Sequence, residues 1–332
     1  MSDGVDATDP LANGRATGQP VSLLLPGRLR ERLAGLPGSA RWYQSLDEVA
    51  EIAGDFDVVW VAGYVPGEVA GRLLRRHPRL KWVHYSSTGV EHMPLQLFGE
   101  LGVVLTNGAG LYAPPIAEHV LMCMLAARRN LLGVLRAQAA ATWAPEAESD
   151  QELGGARVLI LGYGQLGRAV ALRLRAFGVD VLAARRSGPV DEDEGVVDAG
   201  AWRERLGEVD FVVLTLPSTA ETRGIVGAAE LAAMKPGAWL VNVARGSLVD
   251  EPSLVASLAS GHLGGAALDA FPTEPLPPEH PLWKLENVIL SPHSSWRSSR
   301  LAEREVHLFR DNLQRFLEQR PLANVVKLDA GY

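Results

Sequence analysis

Short apolar runs alternate with longer amphipathic segments along nearly the whole chain. Residues 21–25, 58–62, 80–85 and 103–106 read as strands, each followed by a loop and a segment with helical periodicity. The alternation returns with strands over 157–161, 179–183, 211–216, 239–243, 265–268 and 288–290. Runs this short and this continuously apolar suit strands buried on both faces. Strands joined by helical crossovers build parallel sheets, so the pattern predicts an α/β protein with two doubly wound parallel-sheet domains. Between the two series the periodicity predicts one long helix over 114–142, whose first turn tolerates Pro114 and Pro115 because its N–H groups have no intrahelical partner. Residues 143–150 read as a polar connection, and an amphipathic helix over 300–319 closes the chain.

Composition narrows the class. With 47% hydrophobic and 21% charged residues the chain matches an ordinary globular protein. Lys and Arg number 32 against 39 Asp and Glu, a net charge of -7. That balance argues against a nucleic-acid partner, which would need an excess of phosphate-neutralising cations. The single cysteine, Cys123, allows no internal disulfide and reads as a buried small hydrophobe. No cluster of ligating residues points to a metal. The stretch 116–135 is apolar but carries Glu118, His119, Arg128 and Arg129, too many ionisable groups for a membrane span. Residues 1–20 lack the basic and apolar regions of a signal peptide and read as a flexible N-terminal tail. A cytoplasmic protein with no membrane partner is expected.

The strand predicted at 157–161 runs into Gly162, Gly164 and Gly167, spaced as GxGxxG, and then into a helix. Glycine triplets recur by chance, but a strand before and a helix after supply the context that dinucleotide binding requires. The first glycine allows the tight turn, the second lets backbone approach a pyrophosphate, and the third allows close helix–strand packing. Gln165 and Leu166 open the helix, whose free N–H groups suit phosphate oxygens. The next strand should end on a carboxylate if the cofactor is NAD. It ends instead on Arg185 and Arg186, which can pair with a 2′-phosphate, so NADP is the expected cofactor, with NAD as the alternative.

Three further segments place polar residues just past apolar strands. Arg245 follows the strand at 239–243, Asp269 and Glu274 follow that at 265–268, and His293 follows that at 288–290. In an open parallel sheet, ligands bind outside the carboxyl ends of the strands. An Arg, a Glu and a His are thereby expected at the edge that faces the cofactor.

With these residues in view, the chain resembles the D-isomer-specific 2-hydroxyacid dehydrogenase family. The resemblance runs from about Val58 to about Asn324. It rests on the motifs around Ser86–Glu91, Ala117–His119, Gly162–Gly167 and Leu216–Thr222, and on the three polar segments in order. It implies two Rossmann-like domains with the active site in the cleft between them. The substrate domain would comprise 21–116 and 298–332, and the dinucleotide-binding domain 117–297. It also implies a homodimer. Leu216, Pro217, Thr222, Val243 and Ala244 would line the cofactor site, Asp269 would contact the nicotinamide carboxamide, and backbone N–H groups around Thr88 and Gly89 would hold the substrate carboxylate.

Side-chain chemistry predicts the roles of the polar set. Arg245 has forked donors for a carboxylate and a carbonyl oxygen. His293 is the acid in reduction and the base in oxidation. Glu274 beside it favours the protonated ring and fixes its orientation. Several positions depart from the family pattern. Arg185 stands where many relatives carry the ribose-binding Asp, Glu91 where Asp is usual, and Ser295 and Trp296 where small residues usually follow the histidine. Trp296 either walls the substrate pocket or packs at the domain junction, and Tyr64 either faces the substituent beyond the reacting carbon or serves packing. The expected activity is reduction of a small 2-oxo acid of the glyoxylate or hydroxypyruvate class to the D-2-hydroxy acid. An NAD-linked dehydrogenase of another 2-hydroxy acid is the enzymatic alternative, and a dinucleotide-sensing scaffold is the non-catalytic one.

Overall fold

The protein was analysed as a computed structural model, which describes residues 20–143, 151–186, 195–198 and 200–329. Nearly all of the expected N-terminal tail and of the connection at 143–150 lies outside the described residues. The chain forms two compact units: one takes in residues up to Leu111 together with Ser299 onward, and the other spans Tyr112–Ser298. Each is a parallel α/β sheet, as the alternation predicts.

In the first unit, β1 (Ser22–Pro26), β2 (Ser39–Tyr43), β3 (Val58–Val61), β4 (Trp82–Tyr85) and β5 (Val104–Thr106) lie in the order β2-β1-β3-β4-β5, all parallel. Crossovers include α1 (Gly67–Arg76) and α2 (Leu95–Leu101). Strand β2 was not expected from the pattern. It is an edge strand whose first three residues are exposed, so no apolar run marks it. The helix Leu301–Leu317 completes this unit: Phe309 stacks on Trp60 at 4.4 Å and on Trp82 at 5.4 Å, all three fully enclosed. Burying each of those rings is worth about 2–3 kcal/mol, which explains why a segment so distant in sequence returns to this sheet.

In the second unit, β6 (Arg157–Leu161), β7 (Asp180–Arg185), β8 (Val196–Asp198), β9 (Phe211–Leu214), β10 (Trp239–Asn242), β11 (Gly265–Leu268) and β12 (Val288–Leu290) form one parallel sheet. Its order is β12-β11-β10-β9-β6-β7-β8, so strand order reverses beside β6, where such folds bind ligands. The helix expected over 114–142 is two helices, α3 (Ala113–Arg128) and α4 (Leu131–Ala139). The break has local causes. Asn130 adopts left-handed φ of 46°, a conformation its short amide side chain tolerates, and Arg128 is held by Asp210 at 3.1 Å and over the Phe211 ring at 5.3 Å. Cys123 is buried in α3, and burial pushes its thiol up to about 12. Among the described residues no helix is long and apolar enough to cross a membrane, and no acidic or ligating cluster could hold a metal ion.

His84 on β4 is wholly enclosed between Trp60, Trp82 and Phe309, and burial pushes its imidazole down from 6.5 to about 3. Between those values the unfolded chain binds the proton and the folded chain does not, so stability rises with pH through that window. Acidification below 6.5 is therefore expected to cost stability with a slope approaching ~1.4 kcal/mol per pH unit from this residue alone. Denaturant unfolding of the protein and of His84→Phe across this pH range checks it: the variant should lose that part of the slope, and equal slopes would refute the assignment.

Candidate active site

The fingerprint loop is shaped by close approaches that only glycine allows. Gly162 follows β6 with φ of +102°, and a Cβ there would lie 2.8 Å from the backbone N of Leu216. Gly167 sits in the first turn of α5 (Gln165–Ala176), where a Cβ would meet the carbonyl oxygen of Gly162 at 2.1 Å. Thr215 staples the turn by donating to the Gly162 carbonyl at 2.6 Å, a contact that the glycine spacing does not announce. Gly164 is the opposite case. It caps α5, no side chain caps the helix, and nothing lies within 4 Å of where its Cβ would be. Open ground above the first turn of a helix fits a pyrophosphate. Gln165 is exposed and Leu166 half-buried at the start of that helix.

Beyond the loop, Arg185 ends β7 half-buried and Arg186 stands exposed. Arg186 is paired with the exposed carboxylate of Glu221, a partner that the sequence did not indicate. Residues 187–194, which continue from there, lie outside the described residues. The loop from Leu216 to Thr222 is internally braced: the Thr222 hydroxyl donates to the Pro217 carbonyl at 2.7 Å and accepts from the Thr219 N–H at 2.8 Å.

The polar residues past the last three strands share one edge because the strands end in register. Asn242 lies opposite Leu268, and Leu268 opposite Leu290. After β10, the buried Asn242 side chain accepts from the Ala244 N–H at 3.1 Å and donates to the Arg245 carbonyl at 2.9 Å. This turns the chain so that Val243 and Ala244 are buried and Arg245 emerges half-buried, its guanidinium donating to the Ala244 carbonyl at 2.8 Å. Glu274 is pinned by the Phe271 N–H, which donates to its Oε1 at 2.9 Å. Its other oxygen meets His293 Nδ1 at 2.8 Å, and the Glu274–Pro275 peptide is cis. The expected Glu–His pair is thus assembled, while Arg245 emerges at the same edge two strands away.

Asp269, expected to meet the nicotinamide carboxamide, is buried and accepts four hydrogen bonds from the loop that carries His293. Oδ1 takes the Ser291 hydroxyl and the Ser294 N–H, and Oδ2 takes the Ser295 N–H and hydroxyl. His119 on α3 touches the same network through Nε2 and the Ser291 hydroxyl at 3.3 Å, and burial lowers its pKa. The Trp296 indole N–H donates to the His293 carbonyl at 2.9 Å.

In the first unit, Thr88 is exposed and Gly89 half-buried just past β4. The Thr88 hydroxyl donates to the Gly108 carbonyl at 3.3 Å and its own carbonyl accepts from Asn107 at 2.9 Å. Tyr64 is largely exposed and lies on His92 with ring centroids 4.6 Å apart. His92 in turn meets the Tyr85 hydroxyl at 3.2 Å. Nothing in the sequence pattern singled out His92 or Tyr85, because their contact depends on how the turn after β4 folds two residues only seven apart against each other.

A glycine loop of dinucleotide type, an imidazole held by a carboxylate and a guanidinium at the same sheet edge point to a nicotinamide-dependent oxidoreductase, and the comparisons with known proteins agree. The family model described as D-isomer specific 2-hydroxyacid dehydrogenase, NAD binding domain, matches residues 121–295. Glyoxylate/hydroxypyruvate reductase B of Pectobacterium carotovorum is 36% identical over 232 residues, 68% of this chain and 72% of that one. D-3-phosphoglycerate dehydrogenase of Mycobacterium leprae is 31% identical over 79% of this chain, which spans only 50% of that protein's length. The crystal structure of an NADPH-dependent glyoxylate/hydroxypyruvate reductase from Sinorhizobium meliloti, in complex with NADP and sulfate, aligns with a TM-score of 0.79 at 30% identity. It covers 94% of this chain and 100% of that one. The chain belongs to the D-isomer specific 2-hydroxyacid dehydrogenase family and is an NAD(P)-dependent oxidoreductase.

Replacing Asp269 by Asn turns one acceptor oxygen into an amide that faces N–H and O–H donors. Asp269→Asn is expected to destabilise the second unit by about 1–3 kcal/mol through unmet buried donors, measured by equilibrium unfolding. An unchanged unfolding midpoint would show that the loop does not rely on this carboxylate.

Proposed function

We propose that the protein reduces a small 2-oxo acid of the glyoxylate or hydroxypyruvate class to the D-2-hydroxy acid, with NADPH as the preferred cofactor. The observation that carries this reading is the 2.8 Å contact between His293 Nδ1 and Glu274. It fixes a proton-donating ring at the strand ends of a dinucleotide-binding sheet. Bound NADPH supplies the hydride that reaches C2. The residues of the chain do the rest. Arg245 holds the substrate carboxylate and polarises the carbonyl oxygen with its forked donors. His293, protonated, gives the Nε2 proton to that oxygen as the alkoxide develops, so one hydride and one proton are added for each oxo group reduced. Glu274 keeps Nδ1–H engaged and stabilises the positive ring before transfer. By resemblance to the family, Thr88 and Gly89 are assigned to the substrate; Tyr64, exposed in the loop after β3, is assigned to its substituent beyond the reacting carbon. Gly162, Gly164, Gln165, Leu166, Gly167, Leu216, Pro217, Thr222, Val243, Ala244 and Asp269 are assigned to the cofactor on the same ground.

NADPH preference is supported by Arg185 and Arg186 at the end of β7, where an NAD-specific site would place an acid. The pairing of Arg186 with Glu221 is no obstacle, because exposed ion pairs are worth only ~0–1 kcal/mol and a phosphate competes well for a guanidinium. A homodimer is part of the proposal: Met122, Leu131, Val134 and Leu135 stand exposed on α3 and α4, apolar surface that a second copy would cover.

Initial rates with glyoxylate and hydroxypyruvate, NADPH and NADH side by side, test the reading. NADPH should give the higher kcat/KM, and Arg185→Ser should erode that advantage by about tenfold, the worth of one charge-assisted hydrogen bond. Preference for NADH would overturn the role of the arginines and leave the Glu274–His293 pair standing. Dinucleotide binding with no turnover of any 2-oxo acid would turn the reading to a scaffold. A second measurement addresses Glu274. Glu274→Gln, which replaces the carboxylate at His293 Nδ1 by a neutral amide, should lower kcat by about tenfold. An unchanged kcat would remove Glu274 from the mechanism.

A further inference from the structure

Trp296 is the residue near the site that the proposed chemistry leaves unused. It follows His293 by one turn of chain, and its surroundings give it a different task from either lining a substrate pocket or packing at a junction. His293 holds φ of +48°, a left-handed conformation that crowds the Cβ of any residue except glycine. Such a backbone persists only where neighbouring contacts over-determine it. The His293 N–H donates to the Ser291 carbonyl at 2.9 Å, and the next two amides are held by Asp269. One backbone group of His293 is then left to secure, its carbonyl, and the Trp296 indole N–H donates to it at 2.9 Å. The indole is itself steadied edge-on against Tyr112, with centroids 6.1 Å apart and planes at 89°. The residue is 39% exposed, so its burial is partial while its indole N–H is bonded to that carbonyl.

We propose that Trp296 is a positioning residue for His293: its indole N–H locks the His293 carbonyl and thereby holds the left-handed backbone that aims the imidazole at Glu274 on one side and the reacting oxygen on the other. This rests on the reading of His293 as the proton donor. An indole is suited to the task because it combines a rigid donor with a ring large enough to lean on Tyr112, whereas a small residue at this place could do neither.

Trp296→Phe keeps a ring against Tyr112 and removes the donor, and it separates the possibilities. It should lower kcat by about tenfold, the worth of one well-made hydrogen bond, and equally for glyoxylate and hydroxypyruvate. KM for either acid and the Kd for NADPH, read by cofactor fluorescence, should stay unchanged. Hydrogen exchange at the amides of residues 293–296 should speed up by a similar factor of about ten while the rest of the second unit is unaffected. Trp296→Ala should show the same pattern with greater loss. A substrate-dependent change in KM with kcat intact would overturn the proposal in favour of a pocket wall. Weaker NADPH binding with faster exchange throughout the unit would overturn it in favour of a general packing role. If wild type turns over no 2-oxo acid yet exchange in the loop still speeds up in Trp296→Phe, the functional reading fails while the loop-holding role survives. If turnover is present and loop exchange is unmoved, the positioning role fails alone.

Discussion

The pairing of β10, β11 and β12 in register is the constraint on which the site depends. Asn242, Leu268 and Leu290 lie side by side across those strands, so the ladders stop together and the chain leaves the sheet at one edge. Peptide groups beyond the last ladder bond have lost their strand partners but remain partly enclosed, and enclosed N–H and C=O groups must find others. The residues that follow supply them. Asn242 bonds the amide and carbonyl of the turn after β10, Glu274 takes the Phe271 N–H, and Asp269 takes two amides and two hydroxyls of the loop after β12. The same bonds that satisfy the frayed end of the sheet also direct Arg245, Glu274 and His293.

This economy explains why the site tolerates unusual backbone. A left-handed His293 sits within a few residues of those anchors. A carboxylate held by several N–H and O–H groups is in effect part of the backbone frame, and its rigidity passes to whatever is attached. Positioning reaches the imidazole through covalent geometry and one 2.8 Å contact with Glu274, with no wide conformational search left to the ring.

The glycine loop and the end of β7 differ in how tightly they are held. Gly162 and Gly167 are fixed by approaches too close for any side chain, so the phosphate loop has one available shape. At the end of β7 stand surface charges, Arg186 against Glu221, which solvent surrounds. Geometry at the sheet edge is therefore fixed by packing, while the end of β7 presents exposed charges that solvent and salt screen.

Alternation of apolar runs and helical segments was enough to read the α/β class, both parallel sheets and the glycine loop, because buried parallel strands leave an unbroken apolar signature. The Arg, Glu and His were legible as strand-end residues for the same reason. The edge strand β2 was not, since exposed residues carry no such signature. The break at Asn130 was hidden too: α3 and α4 share one helical periodicity, and the left-handed turn at Asn130 beside the attraction of Arg128 to Asp210 and Phe211 marks where it stops. Nor did the sequence disclose that Asp269 clamps the His293 loop, that Glu221 faces Arg186, or that Trp296 reaches back to the His293 carbonyl. Periodicity and motif spacing report whether a segment is buried and how it turns, properties of neighbours in the chain. Which donor meets which acceptor across 25 or 35 residues is set only when the strands align and loops close over them, and that is a property of the folded sheet.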